Sequence, residues 1–323
     1  GISGSGPANA AAVGAVMLPS MIARGYPKGF SAGLIAAAGS TAIVIPPSVA
    51  FIVYSVMVPA ATVPALFAAG LFPGMIAALC LLVPAIIISR KYGFGRDFKA
   101  ERPPLGKSLI DAVWGLLAPV IILGGLRTGL FTPTEAAVVA VAYGIFVGMV
   151  VYRSISFRDL FRVLVDAGEL SAVVLMIIGI ASVFAWAGNT LGIFDAAARS
   201  LIGLHSSEWL MLLSINLLLL AAGMFLDAIS IFLILLPLLV PIAIAMGWDL
   251  VWFGVMMTIN LAIGQFTPPM AISLMITSRI AGIGMEQTFR WVIWLVLAMC
   301  GGLTLTIAFP QLALWLPGRL GYL

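Results

Sequence analysis

Apolar residues run along this chain in long blocks rather than in alternation. The blocks lie near 5–23, 29–57, 62–89, 108–126, 133–152, 208–246, 250–278 and 291–316. Their lengths suit helices crossing a hydrocarbon layer about 30 Å thick. Continuous runs argue against a closed barrel of alternating strands. Between 152 and 208 the pattern loosens. An amphipathic piece, "SFRDLFRVLVDAG", covers about 156–168, an apolar run at 170–187 stops at "AGNTLG", and "IFDAAARSLIGL" continues to 204. That last piece is too short and too polar to span comfortably. The pattern therefore predicts a re-entrant hairpin with its tip near Gly188–Gly192, and an interrupted span over 208–246.

Composition agrees with an all-α polytopic membrane protein: 63% of the 323 residues are hydrophobic and 9% charged, against about a quarter charged in soluble domains. Threading the blocks alternately across a bilayer sorts the cations. Arg24, Lys28, Arg90, Lys91, Arg96, Lys99, Arg102, Lys107, Arg153, Arg158, Arg162, Arg199, Arg279 and Arg290 fall on one side; only Arg127 and Arg319 fall on the other. The positive-inside rule makes the first side cytoplasmic and the C-terminus periplasmic. The 90–107 cluster then reads as a cytoplasmic loop, not a nucleic-acid patch. Cys80 and Cys300 sit in apolar runs without CxxC spacing and read as small packing residues, and the single histidine, His205, flanks a helix start. A catalytic metal site is not expected from so few ligands. "FTPTEAAVVA" places Thr132 as N-cap, Pro133 at the first helical position and Glu135 at the third, a capping-box arrangement.

One numerical regularity stands out. Adding 222 to Gly1, Pro19 and Gly25 gives Gly223, Pro241 and Gly247, and the same offset carries Pro46-Pro47 onto Pro268-Pro269 without a gap. The spans between the copies set them in opposite directions, the signature of an inverted-topology repeat. Each copy begins with backbone that resists helix formation ("GISGSG" and "GMFLD") and carries a double proline inside a later apolar block. Broken backbone in hydrocarbon is costly unless it lines a cavity or binds an ion. Carbonyls and hydroxyls suit a hard cation such as Na⁺, and proline frees the carbonyl four residues before it. The Na⁺-binding candidates are Ser3, Gly4, Ser5, Gly39, Thr41, Pro46, Gly223, Asp227, Gly264, Thr267 and Pro268. Helix N-termini and neutral polar groups suit an anionic substrate, for which Ser5, Asn9, Ser48, Asn189, Thr190 and Asp227 are the candidates. For Asp227, a direct Na⁺ ligand, a proton acceptor and a structural acceptor for loose amides all remain open.

The phrases "ISGSGPANAAAVGAVMLPSMIARGYP", "IPPSVAFIVY", "FTPTEAAVVA", "GMFLD…PLLVPIA" and "IGQFTPP", in that order, resemble the large membrane subunit of TRAP transporters, the tripartite ATP-independent periplasmic transporters. Where that family commonly reads Ser-Gly-Ser-Ser, this chain has Gly6 in the last place. The resemblance implies an elevator-type carrier related to the ion-transporter superfamily, in a bacterial inner membrane. It further implies uptake of small organic anions (C4-dicarboxylates, sialic or other sugar acids) coupled to Na⁺, without ATP or another cofactor. A periplasmic substrate-binding protein and a small membrane subunit are the implied partners, and helices upstream of Gly1 are implied as well. Its domain plan here is a transport half over 1–57, scaffold spans and an arm helix over 58–169, a second transport half with its hairpin over 170–290, and a last span over 291–323.

Three other readings can be set against this pattern. A sodium–carboxylate symporter that needs no binding protein would have the same inverted repeats. An intramembrane enzyme would need a nucleophile–base pair or metal ligands in the bilayer, and neither HExxH nor paired intramembrane acids occur. A purely structural scaffold would not explain helix breaks recurring in both copies.

Overall fold

The computed structural model describes residues 4–96, 104–128, 130–204 and 207–323. Among them the order is α1 (Gly6–Ala23), α2 (Lys28–Ser40), α3 (Val49–Met57), α4 (Val63–Tyr92), α5 (Leu105–Arg127), α6 (Pro133–Phe146), α7 (Phe157–Thr190), α8 (Ile193–Leu204), α9 (Glu208–Gly223), α10 (Ala228–Ala245), α11 (Leu250–Gly264), α12 (Ile272–Ala281), α13 (Phe289–Ala308) and α14 (Gln311–Leu320). No strand occurs among the described residues. Among the described residues, six helical segments are long and apolar enough to cross a membrane. Two compact units result, one from Gly1–Lys99 with Leu191–Leu323, the other from Ala100–Thr190.

In the smaller unit, α6 begins with the predicted capping box: Thr132 Oγ1 accepts from Glu135 N at 3.3 Å, while Thr132 N donates to Glu135 Oε2 at 2.8 Å. The helix continues through a π-helical stretch, Val147–Val151. The break predicted near Gly188–Gly192 is present, between the end of α7 at Thr190 and the start of α8 at Ile193; what differs is the length of the first arm. α7 takes up the amphipathic piece and the apolar run as one 34-residue helix. Its start is set by a second reciprocal cap, Ser156 with Asp159, and interior glycines such as Gly168 and Gly179 weaken a helix without ending it. The chain turns only after Thr190, where Gly192 takes φ 67.

In the larger unit the 222-residue offset holds to the residue. α1 maps onto α10 end for end, 18 residues each. Gly25 and Gly247, which turn the chain after these helices, have φ 80 and 71, a left-handed conformation that glycine adopts without steric cost. Pro27 and Asp249 are the N-caps of α2 and α11. The blocks 29–57 and 250–278 both break where the double prolines stand, α2 ending at Ser40 before α3 resumes at Val49, and α11 ending at Gly264 before α12 resumes at Ile272.

The copies run in opposite directions. Tyr54, late in the first broken block, donates its hydroxyl to the carbonyl of Leu250 at the start of the second, at 2.8 Å. At the other end, Gly29 at the start of the first block lies against Gln287, just past the second, where an added Cβ would sit 2.3 Å from the Gln287 carbonyl oxygen. The residues equivalent by the offset are thus at opposite ends of the unit.

The block 208–246 is not an interrupted span. Trp248, just past α10, donates its indole N–H to Glu208, at the start of α9, at 2.7 Å. The two helices therefore run antiparallel, and Met224–Asp227 is the tip of the hairpin they form. That tip touches the second break: a Cβ at Gly264 would lie 2.6 Å from Gly223 Cα. α9 and α10 thus form a helical hairpin with its tip about halfway along α11–α12.

Packing at this closeness rests on small residues, since lipid tails are as apolar as leucine and give no drive of their own. Gly39 meets the backbone of Ala10, and Gly254 meets the ring of Tyr54, both at distances no side chain would allow. α11 is buried on every face from Val251 to Gly264, which a helix apolar all round predicts. Cations gather at one end of the unit: Arg24 and Lys28 between α1 and α2, Arg90 and Lys91 ending α4, Arg279 ending α12, and Arg290 beginning α13. Arg290 stacks 4.3 Å above the Trp291 ring, and Trp291 packs with Phe30, Tyr92 and Phe94.

Candidate ion and substrate site

Both helix breaks and both helix tips converge in the middle of the larger unit. Gly4 takes φ 65 and its carbonyl accepts from Val49 N at 3.3 Å, so the first tip is clasped to the first break. A Cβ on Gly4 would lie 2.6 Å from the Pro47 carbonyl oxygen, which leaves only glycine able to stand there. In the second copy Ala271 N donates to Met224 O at 3.2 Å, the same clasp two residues displaced. Both Pro-Pro peptides are cis.

The carbonyls that the prolines release do not stay idle. Pro47 has no N–H for the Ile43 carbonyl, and the Ser48 hydroxyl donates to it instead while accepting from Phe51 N at 3.2 Å. Pro269 likewise leaves Gln265 O, which accepts from Ser273 N at 3.0 Å, and Pro268 leaves Gly264 O, which accepts from Thr267 N at 3.1 Å. Buried backbone groups are nearly always satisfied in this way. The hydroxyls of Thr41 and Thr267 bond back to Ala38 O and Ile263 O at 2.7 and 2.6 Å. Each carbonyl keeps a second lone pair, so a cation would share these oxygens rather than find them bare.

Asp227 and Ser5 occupy equivalent N-cap positions but differ in use. Asp227 accepts from Ile229 N and Ser230 N at 3.0 and 3.3 Å and from the Ser230 hydroxyl, which makes it a structural acceptor for the loose amides of α10. Ser5 holds an extended N-cap backbone, φ −118 and ψ 121, and its carbonyl accepts from Asn9 N at 3.0 Å. Gly39 is placed by helix packing against Ala10. Asn9 is buried with its Nδ2 unpartnered among the described residues, aimed from the first turns of α1. Ser3 and the side chain of Asn189 lie outside the described residues, as does His205. Thr190 ends α7 in the other unit, exposed, with its hydroxyl bonded to Trp186 O at 2.8 Å.

The sequence reading missed Gln265. It is 3% exposed and its Oε1 has no partner among the described residues. A Cβ on Gly6 would sit 2.0 Å from that oxygen. The amide thus fills the space that a side chain at position 6 would need, joining the first tip to the second break. Beside it Ser273 Oγ is also buried, without a partner among the described residues. One turn back along α11, Asn260 Nδ2 donates to the carbonyl and the amide oxygen of Asn216, both at 2.9 Å, tying α9 to α11. The only signal in the sequence was an amide inside an otherwise apolar run, next to "FTPP". A buried polar group without a partner costs roughly 1–3 kcal/mol, which a bound ion or anion would return.

Residues 1–312 match the family described as "Tripartite ATP-independent periplasmic transporter, DctM component". The chain belongs to the DctM family. Among curated relatives of this DctM-family chain, the sialic acid TRAP transporter large permease protein of Vibrio cholerae is 39% identical, aligned over 100% of this chain and 75% of its own length. The C4-dicarboxylate TRAP transporter large permease protein of Rhodobacter capsulatus is 37% identical, over 99% and 76%. The isethionate TRAP transporter permease protein DctMQ of Oleidesulfovibrio alaskensis is 37% identical, over 98% of this chain, which spans 50% of that relative. The DctM resemblance seen in five motifs thus extends along the chain, and with it the reading as a multi-pass permease of a transport family.

Proposed function

We propose that this chain is the large membrane subunit of a sodium-coupled, ATP-independent carrier that takes up small organic anions across a bacterial inner membrane. A periplasmic binding protein hands over the anion, and a small membrane subunit, separate or fused, completes the permease. The relatives named for C4-dicarboxylates and sialic acid support a carboxylate substrate. The observation that carries the reading is the convergence of two oppositely directed copies, with the amide oxygen of Gln265, unpartnered among the described residues, against the Gly6 tip.

Na⁺ is cargo here, not a resident metal. The oxygens of Gly4 and Ser5 with those of the Gly39–Pro46 segment would hold it in one copy, and those of Gly223, Gly264, Thr267 and Pro268 in the other. Asn9, Ser48 and Ser5 would face the anion, with the α1 N-terminus adding its partial positive charge. The cationic end of the unit is cytoplasmic and the C-terminus periplasmic. Nothing in this scheme makes or breaks a covalent bond, so the chain is a carrier and not an enzyme.

The test is uptake of labelled succinate and sialic acid into proteoliposomes holding the complete permease, with its binding protein outside, in Na⁺ or K⁺. Uptake that needs both Na⁺ and the binding protein supports the proposal. Equal rates in K⁺ would overturn the coupling, and full rates without the binding protein would favour the simpler symporter.

A further inference from the structure

Helices α9 and α11 pack side by side and run in the same direction. Both start near the bond between Trp248 and Glu208, and both end where Gly223 meets Gly264. Apolar side chains fill most of the space between, and two apolar helices leave their mutual register weakly fixed. One polar contact interrupts them. Asn260, 1% exposed on α11, donates Nδ2 to the Asn216 main-chain carbonyl and to Asn216 Oδ1, both at 2.9 Å. Asn216 Nδ2 in turn donates to Leu212 O at 2.8 Å and lies 3.4 Å from Met256 Sδ. These directions are fixed, because turning either amide over would set its oxygen against acceptors. The hydroxyls of Ser214 and Thr258, on the same two helices, bond back to their own turns at Met211 O and Gly254 O. Among the described residues the amide pair, with Met256 beside it, is thus the only polar link between α9 and α11.

We infer that Asn216 and Asn260 are positioning residues, a role that rests on the sodium reading proposed for this site. They set the register of α9 on α11 and so hold the Gly223 tip where its carbonyl can share an ion with the oxygens of Gly264 and Thr267. Stability does not account for the pair. The chain of amides ends in Asn260 Oδ1, buried with no partner among the described residues, a penalty that two leucines of the same shape would not carry. Register does account for it, since an asparagine buried between apolar helices is satisfied in one alignment only. A slip of one residue would carry the tip about 1.5 Å along α11, against the ~0.5 Å within which a binding constellation must be held. Across the tip itself Gly223 and Gly264 meet through bare backbone, and one hydrogen bond, Ala271 N to Met224 O at 3.2 Å, joins the tip to the second break. The 222-residue offset carries Asn260 onto Ala38, so an amide at this place belongs to the second copy alone.

The complete permease carrying both Asn216→Leu and Asn260→Leu separates register from stability. Neither amide is left facing a lost partner, so the melting temperature should match that of the unaltered permease. The Na⁺ concentration for half-maximal uptake of labelled succinate or sialic acid, in proteoliposomes with the binding protein outside, should rise about tenfold. Asn216→Leu alone, which leaves Asn260 its bond to the main-chain carbonyl, should give a smaller rise in the same direction. Hydrogen exchange in Na⁺-free buffer adds a readout that needs no transport. The amides of Met224, Phe225, Leu226 and Ala271 should exchange faster in the double variant, while those of α11 should not change. An unchanged half-saturation in a stable double variant would overturn the inference. So would a melting temperature far below that of the unaltered permease, which would make the pair a part of the packing and nothing more. If the unaltered permease takes up its anion equally well in K⁺, the sodium reading fails by itself. Unchanged exchange at the tip would then overturn the register role as well, and faster exchange would uphold it.

Discussion

The two halves of the larger unit have the same helices in the same register but close their broken segments differently. In the first copy a side chain does the work: Ser48 takes the carbonyl that Pro47 leaves. In the second the backbone does it, with Ser273 N on Gln265 O. The tips differ in the same sense. The second is fastened by a carboxylate, Asp227, bonded to two amides and a hydroxyl, while the first has a neutral serine at the matching place. Gly264, pressed against Gly223, answers to Ala42 in the first copy. One copy is self-contained and tightly closed, and the other is finished by Gln265 reaching across from its partner.

That contrast can be broken at several points, and the largest effect is expected where backbone meets backbone. Gly264→Val should cost about 3 kcal/mol by overpacking and abolish uptake, read as the melting temperature in detergent and as transport; a variant with wild-type stability would remove the proposed tip contact. Asp227→Ala should cost about 1–2 kcal/mol through loss of the cap. Ser48→Ala should cost about 1–1.5 kcal/mol, because it strips a cap and leaves the Ile43 carbonyl buried without a donor. Tyr54→Phe removes the bond that joins the copies end to end and should cost about 1 kcal/mol. The smallest and most informative change is Asp227→Asn. Asparagine caps as well as aspartate, so stability should move by less than about 0.5 kcal/mol. Any loss of Na⁺ dependence in this variant then reports the charge alone, and an unchanged Na⁺ dependence leaves Asp227 a cap and nothing more.

Much of this architecture was legible in the sequence because its punctuation is made of proline and glycine, whose backbone effects are local. The breaks at Pro46-Pro47 and Pro268-Pro269, the turns at Gly25 and Gly247 and the cap at Glu135 all stand where the residues put them. The pairing of α9 with α10 was missed for the opposite reason. Nothing local separates an apolar helical pair from an interrupted span; what decides is that Glu208 and Trp248, 40 residues apart, touch. The polar stretch "AGNTLG" did mark the end of α7 at Thr190, whereas the joining of the amphipathic piece and the apolar run into one helix was not legible, because interior glycines weaken a helix without ending it. Gln265 was missed because its role depends on Gly6, far away in the chain and close only in the fold.

The exact numerical match of α1 with α10, combined with their opposite headings, has a consequence for energetics across the bilayer. If each copy adopted the shape now held by the other, the repeated helices would be turned over about an axis in the membrane plane without any new fold being needed. Were the copies identical in sequence, both orientations would be equally populated at rest. The unlike pairs, Ser5 with Asp227 and Ala42 with Gly264, are therefore the places where a preference for one orientation would be written into such a carrier.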